Sequence, residues 1–125
     1  MINARSETVE EKKTFSTAFR ETRCVIPVSG FYEWDSEKRK LLFTVGDNDV
    51  FYLGGFYRVH KTGAGFETES IIMTTKPNDS VSPIHDRMPL IIQREHIKDW
   101  ITDLDFARNY LTADMPELTR TEVAK

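Results

Sequence analysis

The sequence predicts a β-rich α+β domain, and two observations lead to this fold class. Apolar and β-branched segments of strand length recur between residues 24 and 92, separated by glycine, asparagine, aspartate and proline. Segments with helical spacing lie on either side of them, at residues 10–20 and 94–111. Such an order favours antiparallel strands with the helices packed at one side. A chain of 125 residues with 39% apolar content fits one domain over residues 1–125.

The first predicted element is a helix over residues 10–20. Phe15 and Phe19, four residues apart among charged neighbours, would share one face of that helix. Ser6 and Thr8 precede the segment, and both belong to residue types that cap helix N-termini. We therefore expect one of the two to begin the helix.

The central segments indicate strands joined by tight turns. Residues 24–28 and 31–34 are two strand segments separated by Ser-Gly, where glycine permits a bulge or a turn. Residues 41–45 and 50–56 are apolar and flank Gly-Asp-Asn-Asp, which is the composition of a hairpin loop. We expect these last two strands to pair with each other. Consecutive glycines at positions 54 and 55 indicate a close backbone approach or a bend.

The C-terminal half is predicted to contain further strands and helices. A β-branched strand, a polar loop, a short apolar strand and two helices are expected in turn at residues 66–75, 76–82, 88–92, 94–101 and 105–111. Asp103 is the expected N-cap of the last helix. Residues beyond position 114 are polar and weakly patterned, and they are assigned to no element.

The charge balance excludes a uniformly basic nucleic-acid-binding surface. The chain has 17 basic and 20 acidic residues, for a formal net charge of -3. Any contact with DNA must therefore come from a local patch. The candidate side chains for such a patch are Arg5, Arg20, Arg23 and Arg87.

The cysteine and histidine content bounds the compartment and the cofactors. Cys24 is the only cysteine, which excludes an internal disulfide and favours a reducing, cytoplasmic location. We expect Cys24 to be a small buried apolar residue. Three scattered histidines give no usual ligand spacing, so neither a metal nor another cofactor is expected. No apolar run approaches the roughly 20 residues of a membrane span, so no membrane partner is expected.

Three short segments are richer in polar residues than a core would be. They are Asn-Ala-Arg-Ser-Glu-Thr at residues 3–8, Ser-Gly-Phe-Tyr-Glu-Trp at residues 29–34 and Ile-His-Asp-Arg-Met-Pro at residues 84–89. Together they supply an amide, carboxylates, an imidazole and two guanidiniums, which suits proton transfer beside an anionic substrate. Taken alone, Glu33 is more typical of a strand edge facing water, and His85 of an ordinary loop residue.

At these segments the chain resembles the SRAP family, named for SOS-response-associated peptidases. The similarity extends to Arg-Cys-Val-Ile-Pro at residues 23–27 and Ile-Ile-Met-Thr-Thr at residues 71–75, in the family's order and spacing. It covers about residues 2–112. The resemblance implies a curved, barrel-like β assembly with a few peripheral helices and a cleft for single-stranded DNA. It also implies covalent capture of abasic sites in the SOS response to DNA damage, with lyase or self-processing peptidase chemistry.

The resemblance assigns catalytic roles to three residues of this chain. Glu33 falls on the family's catalytic glutamate, and His85 falls on its catalytic histidine, a proton donor or acceptor for sugar ring-opening. Asn3 falls on an asparagine that lies beside the catalytic cysteine and helps to place it. Because Asn3 and Arg5 lie at the N-terminus of the sequence, we expect local disorder there.

Four residues are predicted to bind DNA. Arg5 matches a DNA-contacting arginine of the family, and the planar fork of Arg87 suits phosphate oxygens. Trp34 could stack on a base, although packing in the core is favoured for it. Asn78 follows a proline where the family has a small residue, so its contact with DNA is expected to differ.

One family feature is missing from the sequence. Family members carry a cysteine at the mature N-terminus, and this cysteine forms the bond to the opened sugar. The present sequence begins Met-Ile-Asn, and Cys24 lacks the paired α-amine, so we expect the chain alone to be truncated and inactive. Two alternatives remain: a non-catalytic single-stranded DNA-binding module, and a structural remnant or half of a split protein. Such a half would self-associate or pair with the missing N-terminal segment.

Overall fold

The computed structural model describes residues 2–123 and has the expected α+β class, with a six-stranded and a three-stranded sheet. The strands are β1 (Ile2–Arg5), β2 (Arg23–Val28), β3 (Phe31–Trp34), β4 (Lys40–Thr44), β5 (Phe51–Thr62), β6 (Gly65–Thr75), β7 (Met88–Pro89), β8 (Ile91–Ile92) and β9 (Thr119–Glu122). The helices are α1 (Lys13–Glu21), α2 (Ile97–Thr102), which follows a 3-10 turn at Arg94–His96, and α3 (Leu104–Tyr110). Within residues 2–123 the two sheets do not close into a barrel.

The larger sheet has the order β1-β6-β5-β2, with β7 beside β6 and β8 beside β5. The short apolar segment that was expected as one strand is therefore split between two partners. The segment changes its pairing partner at Leu90, because the Leu90 N–H donates to Met73 O of β6 at 2.8 Å and its carbonyl accepts from Gly54 N of β5 at 2.7 Å. This places Pro89 beside β6 and Ile91 beside β5.

The expected hairpin between residues 41–45 and 50–56 is wrong. β4 pairs with β3 and β9 in the smaller sheet, whereas β5 belongs to the larger one. The intervening loop crosses between the sheets because the two strands bury their apolar faces against each other. Phe31 and Phe43 stack with ring centroids 5.2 Å apart, and Phe51 meets Phe31 edge to face at 6.3 Å. Such packing fills the space between the sheets.

The strand β1 corrects the expectation of a disordered N-terminus. It lies parallel to β6, with Asn3 opposite Ile72 and Arg5 opposite Thr74. The connection that follows does not cap α1 as expected. The helix begins after Lys12 without a side-chain cap, and the Ser6 hydroxyl donates to Glu7 instead.

A second apolar core lies between the larger sheet and the helices. Phe19, Phe56 and Trp100 are fully buried there. The guanidinium of Arg23 joins α1 to α2, because it donates to Phe19 O at 2.9 Å and to Trp100 O at 2.6 Å. Its donors are thus bound to helix-end carbonyls inside the protein, which removes Arg23 from the candidate DNA contacts.

Candidate functional site

The pleat of β3 directs Glu33 toward the space between the sheets. Phe31 and Glu33 are partly buried, whereas the intervening Tyr32 and the terminal Trp34 are 48% and 52% exposed. This alternation follows from the two-residue period of a strand. Phe31 fixes the face by packing on Phe43, so Glu33 is held at the mouth of the inter-sheet core.

His85 reaches the same place from the loop between β6 and β7. A turn holds the backbone, with His85 N–H donating to Val81 O at 3.0 Å. The imidazole Nε2 lies 3.4 Å from Glu33 Oε2. The structure therefore brings together the two residues to which the resemblance gives acid and base roles, from positions 52 residues apart in the chain.

The other ring nitrogen of His85 has a partner for either protonation state. Nδ1 lies 3.2 Å from Arg87 N–H and 3.1 Å from Arg87 O. A neutral ring accepts the N–H at Nδ1 and keeps its hydrogen on Nε2, facing Glu33. A protonated ring donates Nδ1–H to the carbonyl instead. His85 can thus gain or lose a proton without losing its backbone contact.

The environment of Glu33 favours retention of a proton. Burial raises the pKa of the Glu33 carboxyl, the positive form of His85 counteracts this rise, and the negative charge of Asp86 adds to it. A carboxyl with a raised pKa, 3.4 Å from an imidazole nitrogen, is placed to exchange a proton with that ring.

Glu33 and His85 line an open cleft of about 360 Å³. The remaining walls come from β1, β3, β5, β6, β7 and the residue before β7, namely Asn3, Arg5, Phe31, Tyr32, Leu53, Ile72, Thr74, Arg87, Met88 and Pro89. A larger cavity of about 470 Å³ adjoins residues 45–52 and 91–95. We place the site in the smaller cleft because it contains the imidazole–carboxylate pair.

Asn3 and Arg5 enter the cleft through the pairing of β1. Because side chains alternate between the two faces of a strand, Asn3 and Arg5 face the same side of the sheet, beside Ile72 and Thr74 of β6. The Arg5 side chain is exposed, and no ion pair within residues 2–123 involves it. Its guanidinium is therefore available to an anion in the cleft.

Arg87 is in a different state from Arg5. Its Nη1 and Nη2 donate to Glu7 Oε2 and Oε1 at 2.6 and 3.0 Å. Nη2 also donates to Thr74 O at 2.9 Å, and Nε lies 3.3 Å from Thr74 Oγ1. The planar fork that suggested phosphate binding is occupied by a carboxylate of the protein, and only a second hydrogen on Nη1 is left for a ligand.

An exposed aromatic pair stands beside the cleft. Lys40, opposite Trp34 in β4, places Nζ 4.1 Å from the ring centroid of Tyr32 and 5.7 Å from that of Trp34. The favoured burial of Trp34 is therefore wrong, because the ring belongs to the outward face of β3. Tyr32 and Lys40 were missed, although the strand alternation through Glu33 could have identified Tyr32.

Asn78 is not brought to this cleft. Its Nδ2 donates to the carbonyls of Met115 and Pro116 at 3.2 and 2.8 Å, and its Oδ1 accepts from Ser80 N at 3.0 Å. The amide thus fastens the C-terminal segment to the loop after β6. Its predicted contact with DNA would require these hydrogen bonds to break.

The described residues contain neither a cluster of metal ligands nor a membrane-spanning helix. Among residues 2–123, no group of three or more histidine, cysteine, aspartate or glutamate side chains could hold a metal ion. In the same part of the chain, no helix is both long and apolar enough to cross a membrane.

The sequence and the fold have clear counterparts among known proteins. The chain belongs to the family of SOS response associated peptidases (SRAP), whose family model matches residues 1–124. It is 37% identical over 116 residues to the abasic site processing protein YoaM of Bacillus subtilis, covering 89% of this chain and 51% of that protein. YoqW of Bacillus phage SPbeta, also described as an abasic site processing protein, is 37% identical over 120 residues, with 89% and 54% covered.

The similarity extends to solved structures. A protein of Bordetella bronchiseptica superposes with a TM-score of 0.86 at 25% identity, over 98% of this chain and 65% of that one. A protein of Bacteroides thetaiotaomicron gives 0.83 at 26% identity, over 98% and 58%. The chain spans about half the length of the curated relatives named above.

Proposed function

We propose that this chain supplies the acid–base and DNA-binding groups of an abasic site processing protein acting on single-stranded DNA. The observation that carries the proposal is the approach of His85 Nε2 to Glu33 Oε2 at 3.4 Å, in a cleft that also contains the exposed Arg5. An abasic sugar offers a hydroxyl and a ring oxygen for proton transfer and flanking phosphates for a guanidinium. Relatives described as abasic site processing proteins support this substrate class.

The chemistry divides between this chain and a cysteine. Opening of the closed sugar moves a proton from its anomeric hydroxyl to its ring oxygen, while the bond from the anomeric carbon to the ring oxygen breaks. Glu33 and His85 would accept and return that proton. The aldehyde then condenses with an α-amine, releasing water, and a thiol adds across the resulting C=N bond with its proton passing to nitrogen. Amine and thiol would come from an N-terminal cysteine outside the residues of this sequence.

Recognition of the strand would combine one phosphate contact with stacking. Arg5 has an available fork in the cleft, whereas that of Arg87 is held by Glu7. Tyr32 and Trp34 present exposed rings beside the cleft, and base stacking on such rings tolerates any sequence. With a net charge of -3, affinity should be weak and sensitive to salt.

The binding part is tested with a fluorescent single strand that contains a stable abasic analogue. The dissociation constant is measured across salt concentrations for the parent, for Arg5→Ala and for the matched control Arg94→Ala, an exposed arginine outside the cleft lining. Loss of one phosphate contact should weaken binding and reduce the slope of log K against log salt by about 0.7. If Arg5→Ala behaves like Arg94→Ala, the cleft is not the phosphate site.

The chemical part is tested by adding a peptide that begins with cysteine, either free or fused ahead of Asn3. Covalent adducts with abasic single strands are then followed on denaturing gels. Glu33→Gln and His85→Ala should slow adduct formation by about 10²–10⁴-fold, and Glu37→Gln, in an exposed turn, should not. Equal DNA binding without any adduct in all variants would favour the alternative, a non-catalytic single-stranded DNA-binding module.

A further inference from the structure

Glu7 is a carboxylate that lies beside the cleft but outside its lining. It follows β1 and forms a two-pronged ion pair with Arg87, with both carboxylate oxygens accepting from separate guanidinium nitrogens. The side chain of Arg87 is only 13% exposed, against 39% for Glu7. The pair therefore closes over Arg87 from the solvent side.

The same guanidinium is fixed on its inner side. Thr74 accepts from Arg87 through its backbone carbonyl at 2.9 Å and through its hydroxyl at 3.2 Å. Thr74 is the register partner of Arg5 on β1 and of Pro89 on β7. Arg87 is thus held between a strand of the sheet and Glu7.

The anchoring of Arg87 bears directly on His85. The backbone N–H and carbonyl of Arg87 are the groups that flank His85 Nδ1, at 3.2 and 3.1 Å. Their position relative to the sheet depends on where the Arg87 side chain is tied. Of the two ties, the one to Thr74 is part of the sheet, and the one to Glu7 is a side-chain contact that a substitution can remove.

The ion pair persists over the working pH range. The Arg87 hydrogen bonds lower the pKa of Glu7 to about 2, against the opposing effect of burial, and the hydroxyl of Ser6 adds a hydrogen bond of 2.6 Å. Glu7 therefore stays ionised from mildly acidic to basic pH, so this clamp does not open when His85 or Glu33 changes its protonation state.

We infer that Glu7 is a positioning residue for His85, acting through Arg87 to hold the imidazole with Nε2 toward Glu33. The structural statement concerns this chain alone, and its catalytic consequence rests on the proposed function. The main role of Arg87 is therefore to link Glu7 to His85, and binding of phosphate is secondary. Glu7 acts through Arg87 and lies outside the set of residues that line the cleft.

The test measures the tautomer of His85 in the chain without DNA. In the parent protein with labelled histidine, the two ring nitrogen-15 resonances of neutral His85 should be widely separated, because Nδ1 accepts and Nε2 carries the hydrogen. In Glu7→Gln the separation should shrink, since both tautomers become populated. Glu10→Gln is the matched control, because Glu10 forms a comparable ion pair with Arg108 at 2.9 Å, away from the cleft.

A second variant allows the test to be made even if Glu7→Gln does not fold. Arg87→Lys keeps the positive charge but replaces the planar two-nitrogen fork with a single ammonium nitrogen, so it should narrow the separation of the two His85 ring resonances in the same way. Unchanged His85 resonances in both folded variants would overturn the inference. Failure of the parent chain to bind DNA would overturn the proposed function instead, and it would leave this result unaffected.

Discussion

Replacement of Gly55 by alanine should destabilise the protein strongly. Gly55 lies in β5, between Cys24 of β2 and Ile72 of β6. A Cβ at this position would fall well inside 3.0 Å of the Ile71 carbonyl oxygen, a separation that real Cβ atoms essentially never show. Since the obstacle is backbone in the sheet centre, it cannot be relieved by a side-chain rotation.

The cost can be estimated from the contacts that must change. Overpacking of a core typically costs about 1–3 kcal/mol, and a ladder hydrogen bond opened by the shift adds about 1 kcal/mol. We therefore expect a loss of about 2–4 kcal/mol, from a total free energy of unfolding on the order of 10 kcal/mol for a domain of this size. Such a loss lowers Tm by roughly 6–16 °C for a domain of this size.

The measurement is thermal and urea unfolding, followed by circular dichroism, with Gly63→Ala as the control. Gly63 lies in the turn between β5 and β6, and an added Cβ would have no neighbour within 4 Å. That variant should be neutral or slightly stabilising, by about 0.4–1 kcal/mol at most. A Tm for Gly55→Ala equal to that of Gly63→Ala would refute the reasoning from close backbone contact.

Three further outcomes are expected. In urea unfolding above pH 4.5, Glu33→Gln should be more stable than the parent. The pKa of Glu33 is raised in the folded state, so the parent loses stability as the pH rises through that pKa. Equal stability at pH 7 would contradict this. Cys24 should react slowly with iodoacetamide in the native protein and rapidly in urea, since burial raises the pKa of its thiol; fast native labelling would count against this. Arg23→Met should lower the free energy of unfolding by about 3 kcal/mol or more in the same assay, because it leaves helix-end carbonyls without donors. A loss below 1 kcal/mol would show that water replaces the missing donors.

Elements whose signal is local could be predicted from the sequence. Asp103 caps α3 as expected, its carboxylate accepting from Phe106 N–H at 3.1 Å. The strand at 31–34 matches β3, because two-residue alternation with large apolar residues has few other solutions. The expected close backbone approach is confirmed at Gly55. It could be predicted because only glycine tolerates such a contact.

Elements defined by their partners could not be predicted in this way. β1 contributes one buried residue, Ala4, and β9 is exposed throughout, so neither has an apolar pattern of its own. The same limit explains the hairpin error, because a loop that joins paired strands and a loop that crosses between sheets can share one composition. One partner of β4 is β9, which lies almost eighty residues further along the chain, so the pairing of β4 could not be predicted from its local sequence.

The candidate site shows the same division. The resemblance selected Glu33 and His85, and the structure places them together, while their catalytic role stays a prediction. The states of the two arginines could not be predicted, because both occur in polar segments of similar composition. Only the fold shows that Arg87 is paired with Glu7 while Arg5 faces the cleft.

Because β1 pairs with β6 in parallel, the cleft is completed in a separate step of folding. β5 and β6 are joined by a tight turn and can form early, whereas β1 must find β6 across about 65 intervening residues. Because Ala4 is its one buried side chain, β1 can detach by local unfolding at a smaller free energy than the rest of the sheet. Each such opening withdraws Asn3 and Arg5 together. Amide hydrogen exchange at Ser6, whose N–H donates to Thr74 O at 2.8 Å, should therefore be faster than in β5, and a ligand that contacts Asn3 or Arg5 should slow it.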